Sequence, residues 1–365
     1  MSLRPVPNRP LKDGFTTGTS ATAAAKAALL SIIHQKAQEK VTVHLPIDKT
    51  LDINIYQYEF TESWAKCSVI KDAGDDPDVT NGAEIGCEIR LTQDKDIKLV
   101  GGEGVGTVTL PGLELAVGEP AINPVPRKMI SNAIQKLLHD YDLDCGIEAT
   151  VFVIDGEKIA KKTLNERVGI MNGLSILGTT GIVKPYSASS YIASIEQGID
   201  VAVANGIDEL VINSGARSEK YLRSLFPNLA EQAFIHYGNW IGETLKKIQI
   251  SPIRKVSIGI MLGKAVKLAF GTTDTHSCVS SWNKNFIAEL AADAGYSLDI
   301  QEQIKSLNMA GRLVEVFAYQ QNEIFYQTLL KHCIETSRKV FNRKILLDIY
   351  LINKEGKFIK YEKKA

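Results

Sequence analysis

ELVINSGARSEKYLRSLFPNLAEQAFIHYGNWIGETLKKIQISPIRKVSIGIML, residues 209–262, alternates short apolar runs with amphipathic ones. ELVIN, QAFIHYG and KVSIGIML read as strands, and EKYLRSLF and NWIGETLKKI as the helices between them. Strand and helix taken in turn are the mark of a parallel sheet with crossover helices. Upstream, SASSYIASIEQGIDVAVANG (187–206) reads as another helix. The apolar, glycine-punctuated run GIMNGLSILGTTGIV (169–183) reads as the first strand and loop of the same sheet. Downstream, 283–338 reads as mostly helical, and KILLDIYLIN and KFIKYEK as a closing hairpin. The expectation for 166–365 is a Rossmann-like α/β domain.

The preceding stretch has a different rhythm. KVTVHLPIDKTLDINIYQYEF (40–60) alternates apolar and polar residues about a turn, as two antiparallel strands do. WAKCSVIKDAG, GAEIGCEIRLTQ and DIKLVGGEGVGTVTLPG continue as strands. Met129, Ile130, Ala133, Ile134, Leu137 and Leu138 recur at helical spacing, which predicts a helix over 127–139. GIEATVFVIDGEKIAKKT (146–163) reads as a hairpin turning at Asp155-Gly156. Residues 1–165 are therefore expected to form a strand-rich, sandwich-like α+β domain.

The chain's first ordered stretch, LKDGFTTGTSATAAAKAALL (11–30), sets small hydroxyls around Gly18 ahead of an alanine-rich helix. Thr19 or Ser20 can cap that helix, and Gly18 can supply a left-handed entry turn. Two readings stand. One is a tightly packed buried helix after a capped turn. The other is a bare wall that admits a flat ligand.

Bulk composition excludes several classes. The 365 residues carry 42 Lys+Arg against 42 Asp+Glu. That balance argues against affinity for nucleic acid through a basic surface. Five scattered cysteines without a C-x-x-C pair signal neither a disulfide framework nor a zinc site. No window approaches eighteen uninterrupted apolar residues, so no membrane span is expected. The Pro-rich start lacks an apolar core, so a signal peptide is not expected either. The cytoplasm is the expected compartment, and homo-oligomerisation is left open.

Ligands of parallel sheets bind beyond the carboxyl ends of the strands. Gly178-Thr179-Thr180-Gly181, Asn213-Ser214-Gly215-Ala216-Arg217 and Gly263-Lys264 are the loops expected there. None is a standard phosphate-binding fingerprint. The loop Lys71–Asp78 holds Asp72, Asp75, Asp76 and Asp78, suited to a hard cation, to a cationic ligand, or to nothing beyond a solvated turn. His276 is a candidate base. Arg127, Arg217, Lys184 and Lys264 stand near turns where they could meet carboxylates.

Taken together and in order, several stretches resemble the cobalt-precorrin-5B C(1)-methyltransferase family, CbiD. They are GFTTGTSATAAAKAA, GDDPDVTNGAEI, GGEGVGTVTLPGLELAVGEPAINPVPRKMI, NERVGIMNGLSILGTTGIVKPYS, INSGARSEKY and GIMLGKAVKLAFG…THS. The resemblance implies a fold particular to that family, not the common methyltransferase domain. It also implies an activity: S-adenosylmethionine donates a methyl to ring carbon 1 of a cobalt-bearing, ring-contracted tetrapyrrole. Cobalt enters with the substrate, and no protein-bound metal is expected. The family often has Cys where this chain has Ser20 and His where it has Asn81.

With that activity in view, the acidic loop and the candidate base give Asp75, Asp76 and His276 as the expected catalytic residues. Gly178, Thr179, Thr180, Gly181, Ser214 and Gly215 are expected at the donor. Thr16, Thr17, Gly18, Thr19, Ser20, Arg127, Arg217 and Lys264 are expected at the tetrapyrrole. A non-catalytic carrier of tetrapyrrole intermediates is the competing reading.

Overall fold

The structure, a computed structural model, describes residues 9–275 and 282–362. It divides into two compact units between Ser187 and Ala188.

The first unit opens with β1 (Gly14–Phe15) and α1 (Thr17–His34). Strands β2 (Lys40–His44), β3 (Thr50–Asn54), β4 (Gln57–Phe60), β5 (Trp64–Ile70), β6 (Glu84–Thr92), β7 (Ile97–Gly101) and β8 (Thr107–Val108) follow. Then come α2 (Pro124–Asp140), β9 (Gly146–Val153), α3 (Gly156–Ala160), β10 (Ile170–Met171) and β11 (Ile182–Val183). The main sheet runs β4-β5-β6-β9-β7, antiparallel except where β7 meets β9. The expected β2–β3 pair forms.

Helix α1 lies against β5, β6 and α2. Ala21, Ala23, Ala24, Ala25, Ala27 and Ala28 are all fully buried. A helix buried on every side needs small residues so that neighbours can approach closely. The packed-helix reading therefore holds: the alanine side chains are closed off in the interior. The helix also starts earlier than expected. Thr16, not Thr19 or Ser20, is the cap, and its hydroxyl accepts the Thr19 N–H at 3.2 Å. Gly18 lies inside the first turn, so its role is not a left-handed turn. A Cβ there would stand 2.7 Å from the Pro126 ring.

The second unit contains α4 (Ala188–Ala204), β12 (Glu209–Asn213), α5 (Ala216–Leu225), β13 (Phe234–His236), α6 (Ile241–Gln249), β14 (Lys255–Met261) and α7 (Leu262–Ala269). It continues with α8 (Lys284–Asp293), α9 (Leu298–Ser306), α10 (Ile324–Arg338), β15 (Leu346–Ile352) and β16 (Phe358–Lys360). Its sheet runs β13-β12-β14-β15-β16, parallel except for β16. Side chains alternate between two layers. Leu210 and Ile212 join the core under α6, α7 and α10, whereas Val211 packs with Leu222 of α5. Helices thus cover both faces, as buried parallel strands require.

Three expectations fail. GIMNGLSILGTTGIV is not a strand of this sheet: its residues pair within the first unit, β10 with β8 and β11 with β1. The unit boundary consequently falls later than 165/166, because 166–187 is tied to the first unit. The second arm of the 146–163 hairpin is the short helix α3 instead.

Candidate functional site

In the first unit, the α1 entry turn is laced to the segment 175–181. The Thr17 hydroxyl accepts the Leu177 N–H at 2.8 Å and lies 3.2 Å from both the Ser175 and the Leu177 carbonyls, either of which can take its one proton. The Gly18 N–H reaches the Leu177 carbonyl at 3.0 Å. Thr16 N–H and the Thr19 hydroxyl both donate to the Gly181 carbonyl. The fit leaves no room for side chains on the glycines. At Gly178, φ is +133°, and a Cβ would stand 2.4 Å from the Thr16 hydroxyl. Thr16–Ser20 and Gly178–Gly181, expected in different domains, therefore form one structure.

Beside it opens a cavity of about 270 Å³ lined by Thr16, Thr17, Lys71, Asp78, Thr80 and Asn165 among others. Gly18, Thr19 and Ser20 do not line it. Ser20 is fully buried and donates to the Thr16 carbonyl at 3.1 Å.

Asp78, one of the four carboxylates of the acidic loop, and Lys71, which the sequence reading gave no role, are the charged lining. The Lys71 side chain is 1% exposed and its Nζ lies 2.7 Å from Asp78, which is 25% exposed. The signal was present in β5. Ala65, Cys67 and Val69 are the buried positions of its alternation, and Lys71 extends that series inward. Burial raises the Asp78 carboxyl. The Lys71 charge and hydrogen bonds from Lys71 and Thr80 outweigh it and leave the pKa below the ordinary carboxylate value.

The other carboxylates of this loop have partners within the chain. Arg9 grips Asp75 through two nitrogens, and the Lys12 N–H donates to it at 2.7 Å. Asp75 is thus a clamp on the incoming chain. Asp72 pairs with Lys12 at 2.6 Å. Asp76 accepts the Tyr186 N–H at 2.8 Å. Burial raises the pKa of Asp76, and the neighbouring Asp78 adds to the rise. Asn81, where the family often has His, accepts the Ala73 N–H at 2.8 Å and braces the loop. Among the described residues no cluster of three or more His, Cys, Asp or Glu is placed to hold a metal.

Arg127 is turned inward. It donates to the Ile122 and Pro120 carbonyls and fixes the turn ahead of α2. Its side chain is 27% exposed, so part of it stays at the surface.

In the second unit, the strand order reverses direction about β12, so β12 and β14 flank the switch point at their carboxyl ends. Ser214 and Gly215 lie beyond β12, and Gly263 and Lys264 open α7 beyond β14. Asn213, fully buried, accepts the Gly215 N–H and holds that turn. The Lys264 ammonium donates to the Asn239 amide oxygen and to the Thr275 hydroxyl. Burial, reinforced by Lys267, lowers its pKa to about 8. Arg217 donates to the Lys354 carbonyl at 3.0 Å. Of the three loops expected at the ends of parallel strands, these two qualify and Gly178–Gly181 does not. His276 lies outside the described residues.

No helix among the described residues is long and apolar enough to cross a membrane. The CbiD family model matches residues 4–185, and the model described as CbiD, C-terminal domain, matches 274–363. The cobalt-precorrin-5B C(1)-methyltransferase of Priestia megaterium is 42% identical over 359 residues, 98% of each chain. That of Prosthecochloris aestuarii is 45% identical over 335 residues, 91% of each chain. A crystal structure of the cobalamin biosynthesis protein (cbiD) of Archaeoglobus fulgidus is 30% identical, covers 73% of this chain and 82% of its own, and has a TM-score of 0.40. With two relatives above 40% identity and family models at both ends, the chain belongs to the CbiD family.

Proposed function

We propose that this chain transfers the methyl group of S-adenosylmethionine to carbon 1 of cobalt-precorrin-5B, giving cobalt-precorrin-6A in cobalamin biosynthesis. The observation that carries the reading is the end-to-end match to a methyltransferase of that specificity. In the reaction, the sulfonium–methyl bond breaks as the bond from the methyl to C1 forms, and S-adenosylhomocysteine leaves. Such an in-line displacement asks the protein mainly to hold two reactants in line. No nucleophilic side chain is consumed, and cobalt arrives with the acceptor.

In the first unit, Thr16, Thr17 and the 178–181 loop are the residues we assign to the donor. Asp78 lines the same cavity as Thr16 and Thr17, and a carboxylate there favours a cationic donor. Asp75 acts indirectly, by fixing that loop. The second unit is read as Rossmann-like from its strand order and its helices on both faces. Ser214, Gly215, Arg217 and Lys264 cluster N–H groups and cations at the carboxyl end of its sheet. That end suits the acetate and propionate groups of the acceptor better than it suits the donor. His276 remains a candidate base. We place the chain in the cytoplasm.

The test is turnover. Purified protein given S-adenosylmethionine and cobalt-precorrin-5B should release S-adenosylhomocysteine and raise the corrinoid mass by one methyl over many cycles. Stoichiometric binding of the corrinoid with no mass gain would replace this reading with that of a carrier.

A further inference from the structure

We propose that the Lys71–Asp78 cavity of the first unit binds an α-amino-acid group, the zwitterionic end of the sulfonium donor. The proposal rests on the methyltransferase reading and names the part of the donor this cavity takes.

Size comes first. Pockets that enclose a whole ligand run to about 300–1,000 Å³. At about 270 Å³ the cavity falls below that range and is too small for a macrocycle.

Charge narrows the choice. An ammonium carries three donors. Among the described residues Lys71 has one acceptor, Asp78, so its buried Nζ has donor capacity left over beside the cavity. A buried ion pair costs desolvation that an apolar pair would avoid. Its presence at a cavity wall is explained if it meets charge there. The wall is largely apolar, from Val79, Leu174, Leu177 and Val183, and its charges are Lys71 against Asp78, neutral together. A lone carboxylate arm would leave the site with one net negative charge in a poorly solvated place. A zwitterion leaves it neutral.

The groups match in detail. Lys71 and its spare donors face the α-carboxylate. Asp78 is a quarter exposed and offers a carboxylate edge to the α-ammonium. Thr80 donates its N–H and hydroxyl to Asp78, which fixes that carboxylate in place. Asn165 donates one amide N–H to the Gly173 carbonyl, which orients the amide, and among the described residues no donor pairs with its oxygen.

Calorimetry with two probes tests this. S-adenosylhomocysteine keeps the amino-acid end, and 5′-methylthioadenosine lacks it. Wild type should bind the first at least tenfold more tightly. Lys71→Met should abolish that preference by weakening S-adenosylhomocysteine alone. Because Lys71→Met leaves the Asp78 charge without its partner, at a cost in stability, Lys71→Met/Asp78→Asn, which removes both charges, gives the same test in a neutral site. Equal loss of both probes, or no loss of either in a folded variant, overturns the proposal. So does unchanged donor affinity with a raised KM for the corrinoid, which would put an acceptor carboxylate there. If wild type binds neither probe, the methyltransferase reading itself falls.

Discussion

The Thr17 hydroxyl receives the Leu177 N–H at 2.8 Å, joining residues 160 positions apart in the chain. Through it the first turn of α1 holds the segment that leads into Gly178–Gly181. Thr17→Val keeps the shape and removes the hydroxyl, leaving that N–H without its partner. An unpaired buried donor costs about 1–3 kcal/mol. Urea denaturation should show a loss of that size, and calorimetry a weaker affinity for S-adenosylhomocysteine. Unchanged values for both would mean that the turn does not organise the loop.

Gly181 has φ of +82°, and a Cβ there would stand 2.7 Å from Leu45 and 3.0 Å from the Thr19 hydroxyl. Gly181→Val therefore strains the backbone and meets Leu45 and Thr19. It should cost stability by about 1–3 kcal/mol from backbone strain alone, with steric cost added. A lowered midpoint of thermal unfolding checks this, and a variant as stable as wild type contradicts it.

Ser20 is a packing position. Ser20→Ala loses one hydrogen bond to the Thr16 carbonyl, about 0.5–1.5 kcal/mol. Its single-turnover methylation rate at saturating donor should match wild type. Ser20→Phe should fail to fold, because the site is fully buried among close-packed neighbours. A hundredfold slower chemical step in a stable Ser20→Ala would give the hydroxyl a part in catalysis.

These positions show what the sequence could and could not disclose. The alternation over 209–262 predicts the parallel strands β12, β13 and β14, and they form, because period and turn residues agree there. The run 169–183 reads as a buried strand because it is apolar. Its glycines let it break into two short pairings with the first unit instead. Charge was the harder signal. The acidic loop reads as four available carboxylates, but Arg9, Lys12 and Lys71 engage three of them, and Tyr186 N–H the fourth. Pairings across such sequence distances have no local pattern. Lys71 alone had one, its place on the buried side of β5.

Lys264 should make stability depend on pH. Its folded-state pKa of about 8 lies below the ordinary lysine value of about 10.4. The unfolded chain then holds more protons between those values, so stability rises with pH across that window. Below about pH 8 the lysine is charged in both states, and the cost of burying that charge is fully present. The gain is under about 1.4 kcal/mol per pH unit, and Lys264→Met should remove it. Denaturation of both proteins between pH 7.5 and pH ~10 gives the difference. A gap between them that stays constant with pH would contradict the shift. The KM for the corrinoid should rise above about pH 8 in wild type, as the cation is lost.

The most direct measurement follows the methyl group itself. S-adenosylmethionine labelled with carbon-13 in its methyl is given with cobalt-precorrin-5B to the purified chain, and the product is read by NMR. The account predicts one labelled methyl per corrinoid, on C1, together with one S-adenosylhomocysteine. A label on another carbon, or a corrinoid recovered unlabelled, would contradict it.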